Sequence, residues 1–504
     1  MDDRRRTRPA AHELARYEAL FAARTRGMKS SAMREMMALT ERPDVISLAG
    51  GLPDTSTFAP ELYAKLMSQV AAESTARALQ YGPTEGMAAT AECIVEVMAA
   101  EGTVVDPADL IVTTGGQQVI DLVCKTLIDP GDTIVAEAPT YPGAVPTFGA
   151  YQADVVQIEM DSDGMPIDEL ERTLDRLQAQ GRRPKFIYTI PNFHNPAGVT
   201  MSLARRRRLV EVARERELLV LEDNPYGLLR YEGQGLPTLY SLDASSGADG
   251  TSSDLVIYLG TFSKILSPGL RLGWAVAPRP VLEKLNLGKQ GADLCSSPVT
   301  QLFVAAYFRE CDWRVYLEQL KELYRRRRDV MLDALQEHFG ERASWTRPQG
   351  GLFIWATLEG DVDTTDLLAR SRGVAFVPGR SAYMDGRSGS SSMRLNFAGV
   401  QDEDIREGIR RIGATMGSDT GLFGDLTESA QAGAGAHASL GSGAGAQADS
   451  GARAGTGSGA ETGAGEPRTA HEHAGPGLAD VLELPRRPGA GPGERRSAGE
   501  QRDR

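Results

Sequence analysis

The chain has 504 residues, 41% of them hydrophobic and 24% charged, and a formal net charge of −13. This is the composition of a globular protein of two or three domains, and the acidic balance argues against nucleic acid as a main partner. No apolar run approaches membrane length, and the start MDDRRRTRPAAHELARYEALFAARTRG lacks the continuous apolar segment of a secretory signal, so no membrane partner is expected and a cytoplasmic enzyme is. Cys93, Cys124, Cys295 and Cys311 have neither CxxC nor metal-ligand spacing and read as reduced structural thiols, with no metal site. The arginine runs Arg205 to Arg208 and Arg325 to Arg328 lie within helical patterns and read as solvated faces.

Residues 1–45 read as a polar arm followed by an amphipathic helix, with Ala32, Met33, Met36, Met37 and Leu39 near one face. A large domain is expected over 46–290. It opens with VISLAGGLPD, a short strand entering a loop where adjacent Gly50 and Gly51 let the backbone approach a ligand or simply turn. LQYGPTEGM then places Tyr81 in a loop that opens a helix running to about Ala100. From Leu110, LIVTTGGQQVIDLVCKTLIDPGDTIVAEAPTY gives strand, glycine turn, helix and strand at the spacing of a mostly parallel sheet. The turn Thr114-Gly115-Gly116-Gln117 opens a helix, so its backbone N–H groups suit an anion such as phosphate. It has neither GxGxxG nor Walker spacing, which argues against dinucleotides and ATP.

Further strands are predicted at Phe186 to Ile190, Leu218 to Leu221 and Val256 to Leu259, followed by the polar turns PNFHNPAG, EDNPYG and GTFSK. Open α/β sheets assemble active sites at this edge. Asp243 to Asp254 reads as a polar surface insertion. A smaller α+β domain is expected over 291–416, helical to about Gly340 and then carrying the strand segments GGLFIWATL, GVAFVPG and MRLNFAG. Residues 417–504 are rich in Gly, Ala and Ser and cannot bury enough apolar area to offset their ordering entropy, so a disordered tail is expected. Within it, LADVLEL reads as a transient helix or a docking peptide.

Lys264 lies just past a buried strand in IYLGTFSKILSPGLRLGW, where lost solvation would lower its pKa as Schiff-base chemistry requires. Alone, it reads equally well as a surface lysine on a turn. One cofactor, pyridoxal phosphate, needs several of the features above together. It needs the lysine, and an acid such as Asp223 beside the pyridine nitrogen. Tyr226 and Asn195 are candidates for the ring phenolate oxygen, and Tyr141 for stacking on the ring. Gly115, Gly116, Gln117, Ser263 and Arg271 fit the phosphate.

With NFHNPAG, EDNPYG, the SKxxxPGxRxG pattern from Ser263 to Gly273 and MRLNFA in that order, the chain resembles the class I/II, fold-type I pyridoxal-phosphate aminotransferases over about Met28 to Gly413. SSAMREM, LAGGLPD, LQYGPTEG, TTGGQQ and GTFSKILSPGLRLGW look closest to the branch of 2-aminoadipate and kynurenine/aminoadipate aminotransferases. The resemblance implies an α/β fold with Lys264 as the Schiff-base lysine, Asp223 on the pyridine nitrogen, Asn195 and Tyr226 on the phenolate oxygen and Tyr141 on the ring. Gly116, Gln117, Ser263 and Arg271 fall at the phosphate. Tyr81 corresponds to a tyrosine that reaches the phosphate of the neighbouring subunit, implying a homodimer with shared sites. Arg394 matches the arginine that grips the substrate α-carboxylate, Gly50 and Gly51 line the substrate side, and Arg34 matches an arginine that meets a side-chain carboxylate in some relatives.

The implied reaction moves an amino group from an L-amino acid of 2-aminoadipate, aromatic or branched-chain type to a 2-oxo acid, 2-oxoglutarate, by a ping-pong mechanism. Two alternatives stand beside it: β-elimination or oxidation on the same scaffold, and an aminotransferase-like transcription regulator, for which too little chain precedes Met28 to hold a winged helix. His194 departs from the polar residue that relatives often carry before the asparagine, and either touches substrate or packs behind the site.

Overall fold

The computed structural model describes residues 44–245, 252–371 and 373–416, together with 17, 20–25 and 28. Three sheets organise them. A two-residue strand β1 (Ile46–Ser47) comes first, and six of the next seven strands run parallel in one sheet: β2 (Leu110–Thr113), β3 (Thr133–Ala138), β4 (Asp154–Glu159), β5 (Phe186–Thr189), β6 (Leu219–Asp223) and β7 (Val256–Thr261). The seventh, β8 (Gly273–Val276), lies antiparallel between β2 and β7, giving the order β2-β8-β7-β6-β5-β3-β4. Every residue of β2, β3, β5, β7 and β8 is buried, because helices cover both faces of a parallel sheet and its strands therefore read as continuous apolar runs. The sheet ends at β4, a half-exposed strand with Asp154 and Glu159 at its two ends, charges that discourage pairing with another chain.

The helix Gly116–Leu127 buries Val119, Ile120, Leu122 and Val123 against this sheet. At about 2 kcal/mol per buried aliphatic side chain, those four contacts contribute roughly 8 kcal/mol as an upper bound, enough to fix the helix N-terminus beside the strand ends. Gly115 immediately precedes it with φ 80°, and a Cβ there would meet the guanidinium of Arg271 at 2.5 Å. A Cβ on Gly273 would lie 2.8 Å from the backbone of Gly115 and Gly116 and 2.9 Å from the carbonyl of Gly260. Only glycine lets these three backbones pack together.

The chain then runs through helices Arg279–Gln290, Pro298–Glu310 and Trp313–His338 into a second, antiparallel sheet. Its strands are β9 (Ala343–Trp345), β10 (Phe353–Leu358), β12 (Val377–Pro378) and β13 (Ser392–Asn396), in the order β12-β13-β10-β9. Between β10 and β12, β11 (Val374–Ala375) pairs in parallel with β1, tying residues 46–47 to the C-terminal strands. A final helix occupies 402–416.

The predicted strands are all present, whereas β4, β8 and β9 were not anticipated. The expected insertion is only partly described: helix Leu239–Ala244 runs into its start, and 246–251 lie outside the described residues. The predicted arm helix, Arg34 and the tail from 417 also lie outside them. No helix among the described residues is long and apolar enough to cross a membrane, and no group of His, Cys, Asp and Glu among them could hold a metal ion.

Candidate active site

The C-terminal ends of β2, β3, β5, β6 and β7 converge on a cavity of about 280 Å³. Gly51, Gly116, Gln117, Tyr141, Asn195, Asp223, Tyr226, Ser263, Lys264, Arg271 and Arg394 all line it, although they come from segments spread over more than three hundred residues. Parallel strands deliver this convergence, since each delivers its following loop to the same edge. Arg394 arrives from the other sheet, in β13, where it is paired with Trp355 of β10.

Asp223, at the end of β6, is 4% exposed and accepts a hydrogen bond from the Tyr188 hydroxyl at 2.7 Å. Burial pushes its pKa up to about 7; the Tyr188 bond opposes the rise and the negative charge of Glu137 adds to it. A cation beside Asp223 would restore its ionisation. Lys264 follows β7 in a turn and donates to the Gly51 carbonyl at 2.5 Å. Burial brings its ammonium down to about 8, and the positive charges of Arg394 and Arg271 act in the same direction. The site thus holds a lysine that is partly neutral near neutral pH, and an acid whose charge is costly without a cationic neighbour.

Arg394 is fully buried. It donates to Asn195 Oδ1 at 2.9 Å and to the Ala49 carbonyl at 2.6 Å, and its guanidinium lies 4.3 Å from the centre of the Phe353 ring. Asn195 Nδ2 in turn donates to the Tyr226 hydroxyl at 3.3 Å, linking the carboxylate-binding candidate to the ring-oxygen candidates. Burial lowers the Arg394 pKa to about 10, which still leaves a cation at neutral pH.

At the other end of the cavity, Gly116 and Gln117 begin their helix, facing Ser263 and Arg271. The Gln117 side chain donates to the Gly143 carbonyl at 3.1 Å and to Thr147 Oγ1 at 2.8 Å. Arg271 has a left-handed φ of 52°, a conformation seldom adopted outside glycine, which turns its side chain toward Gly115.

Other expected residues stand apart. Gly115 caps the helix behind the cavity, and Gly50 precedes the lining residue Gly51. Tyr81 is 78% exposed and does not line the cavity of its own chain. His194 is buried with Nε2 3.1 Å from Glu137 Oε2, while Nδ1 accepts the Ala197 N–H at 3.3 Å, so it packs behind the site. Two contributors went unanticipated. Tyr188 carried a signal, since a tyrosine in the apolar strand FIYTI must find a partner for its hydroxyl. Phe353 carried none beyond being one aromatic in an apolar strand.

The family described as "Aminotransferase class I and II" matches residues 43–412. The chain belongs to the class I and II aminotransferases. Among its relatives, aromatic-amino-acid aminotransferase 1 of Thermococcus litoralis is 42% identical over 403 residues, covering 79% of this chain and 94% of that protein. The 2-aminoadipate transaminase of Thermus thermophilus is 38% identical over 391 residues, 77% of this chain and 94% of that one. The crystal structure of Pyrococcus horikoshii kynurenine aminotransferase in complex with PMP superposes with a TM-score of 0.74 at 38% identity, covering 81% and 99% of the two chains. This aminotransferase therefore has the fold-type I architecture, and its cofactor is pyridoxal phosphate. The residues fit that group: a desolvated acid awaits a cation at one end of the cavity, a lysine of lowered pKa stands at its wall, and a helix N-terminus with an arginine closes the other end.

Proposed function

We propose that this aminotransferase moves the amino group of an L-amino acid of 2-aminoadipate, aromatic or branched-chain type to a 2-oxo acid, 2-oxoglutarate, in a ping-pong cycle. The observation that carries the reading is the presence in one cavity of the lowered Lys264 amine, buried Asp223 and the buried Arg394 guanidinium. The apolar walls formed by Leu52, Ile120, Ile190 and Phe353 support aromatic and branched donors, in keeping with the names of the relatives. Arg34 is proposed to meet the distal carboxylate of 2-aminoadipate.

When bound, pyridoxal phosphate supplies a carbonyl carbon that takes up the amino group and a protonated ring that withdraws electrons from the substrate Cα. Asp223 would hold negative charge beside the ring nitrogen and keep that nitrogen protonated. Asn195 and Tyr226 would bond the ring oxygen, and Tyr141 would pack against the ring. Gly116, Gln117, Ser263 and Arg271 would hold the phosphate, with Gly115 shaping the turn that precedes the first two. Arg394 grips the substrate α-carboxylate through a bidentate fork, which fixes the Cα–H bond toward Lys264. The neutral Lys264 amine would take the proton from the substrate Cα and hold it for return, acting as base and then as acid. Its value of about 8 suits both roles near neutral pH.

The proposal extends to a homodimer in which the exposed Tyr81 of each chain reaches the phosphate of the other, to a cytoplasmic location, and to a division into 46–290 and 291–416 with an arm before and a tail after. The test is a titration of the holoenzyme with single L-amino acids, following the cofactor's conversion to its amino form by absorbance. Conversion by aromatic, branched or 2-aminoadipate donors, reversed by 2-oxoglutarate, is expected. Release of oxo acid with no accumulation of the amino form would refute the reading. Arg34→Ala is expected to slow 2-aminoadipate more than leucine, and an unchanged ratio would remove Arg34 from substrate recognition.

A further inference from the structure

Outside the cavity, a carboxylate with no part in the roles above holds the turn that carries Gly116 and Gln117. We propose that Asp293 is a positioning residue for the cofactor phosphate, clamping the turn 114–118 from behind; this rests on reading that turn as the phosphate site. Asp293 Oδ2 accepts from the Thr114 hydroxyl at 2.7 Å and from Gln118 Nε2 at 2.8 Å. With its amide nitrogen engaged in this way, Gln118 presents Oε1 to the Thr114 backbone N–H, 2.7 Å away. The carboxylate therefore decides which end of the Gln118 amide faces the turn, because the other orientation would set an NH2 group against an N–H.

Arg271 reaches the Thr114 carbonyl at 3.4 Å from the opposite side, so the amide, hydroxyl and carbonyl of Thr114 are each held by a different residue. The next residues, Gly115 and Gly116, have no side chains with which to fix themselves, and the geometry of their N–H groups follows from how Thr114 is held. A bare carboxylate here would repel a phosphate dianion. Lys289, fully buried, lies 2.7 Å from Asp293 Oδ1 and offsets that charge, so the clamp holds the turn with little net field at the phosphate.

The test uses the full chain freed of cofactor, with wild type, Thr114→Val and Asp293→Asn compared for affinity toward pyridoxal phosphate and toward pyridoxal, which lacks the phosphate. Thr114→Val leaves the Lys289–Asp293 pair intact and so keeps the test open if Asp293→Asn folds poorly. Each variant is expected to lose roughly tenfold in affinity for pyridoxal phosphate while affinity for pyridoxal stays within about twofold. The rise in melting temperature given by inorganic phosphate should shrink in parallel. Equal losses on both ligands would mean a general structural role, and unchanged pyridoxal phosphate affinity in Thr114→Val would mean no role; either overturns the inference. If wild type itself binds the two ligands equally, the phosphate reading of the turn fails and the inference falls with it.

Discussion

Replacing Lys264 by methionine removes an amine that the fold holds against its own preference. Burial and the two neighbouring arginines bring this lysine to about 8 from its ordinary 10.5, so the folded protein binds its proton less tightly than the unfolded chain does. Between those two values the unfolded state carries more protons, and stability contributed by this site rises with pH. At pH 6.5 the shift costs the cofactor-free wild type about 3 kcal/mol relative to a chain without the amine, and at pH 9.5 about 1 kcal/mol. Lost packing and the lost bond to the Gly51 carbonyl offset part of the gain in the variant, but neither depends on pH. The stability of Lys264→Met minus wild type should therefore fall by about 2 kcal/mol from pH 6.5 to pH 9.5. Urea unfolding of both proteins, cofactor-free and at one protein concentration, followed by circular dichroism, gives this difference. A gap independent of pH, or one that widens as pH rises, would refute a desolvated lysine at this position.

Arg394→Lys keeps the charge but not the planar fork over Phe353, and kcat/KM should fall by roughly a hundredfold, about 2–3 kcal/mol, while pyridoxal phosphate affinity changes little. Steady-state kinetics beside a cofactor titration separates the two. Tyr188→Phe removes the hydroxyl that supports the Asp223 carboxylate, so the Asp223 pKa rises further above about 7. Its cofactor affinity should be weakened more at pH 6 than at pH 8.5, and an equal loss at both would contradict the role given to that bond. A chain ending at Gly417 should keep its turnover, since the family match ends at 412; lost activity would assign the tail a part in catalysis.

The strands feeding the cavity were legible because each reads as an apolar run followed by a polar turn, and parallel packing makes both features obligatory. That regularity also exposed Asp223, which closes the run ending at 223, and Lys264 and Asn195, which lie in the turns after the runs ending at 261 and 189. β8 stayed hidden because Gly273 to Val276 follows a turn dominated by Pro268 and Gly269, and its role as the antiparallel member comes from pairing on both sides with distant strands. β9 is three residues long, too short for any alternation to register. Arg394 was recognised by resemblance, yet its setting between Asn195, Ala49 and Phe353 is tertiary and has no trace in MRLNFA. The Asp293 clamp is of the same kind: its partners lie over 170 residues earlier in the chain, and nothing local distinguishes GADLCSS from an ordinary loop.

The central claim is that Lys264 carries the cofactor. Reducing the holoenzyme with borohydride, digesting it and mapping the modified peptide by mass spectrometry tests this directly. The account predicts one reduced cofactor per chain, attached to Lys264 within the segment 257–274 and absent from Lys264→Met. A cofactor fixed to another lysine, or fixed as well in the variant as in wild type, would contradict it.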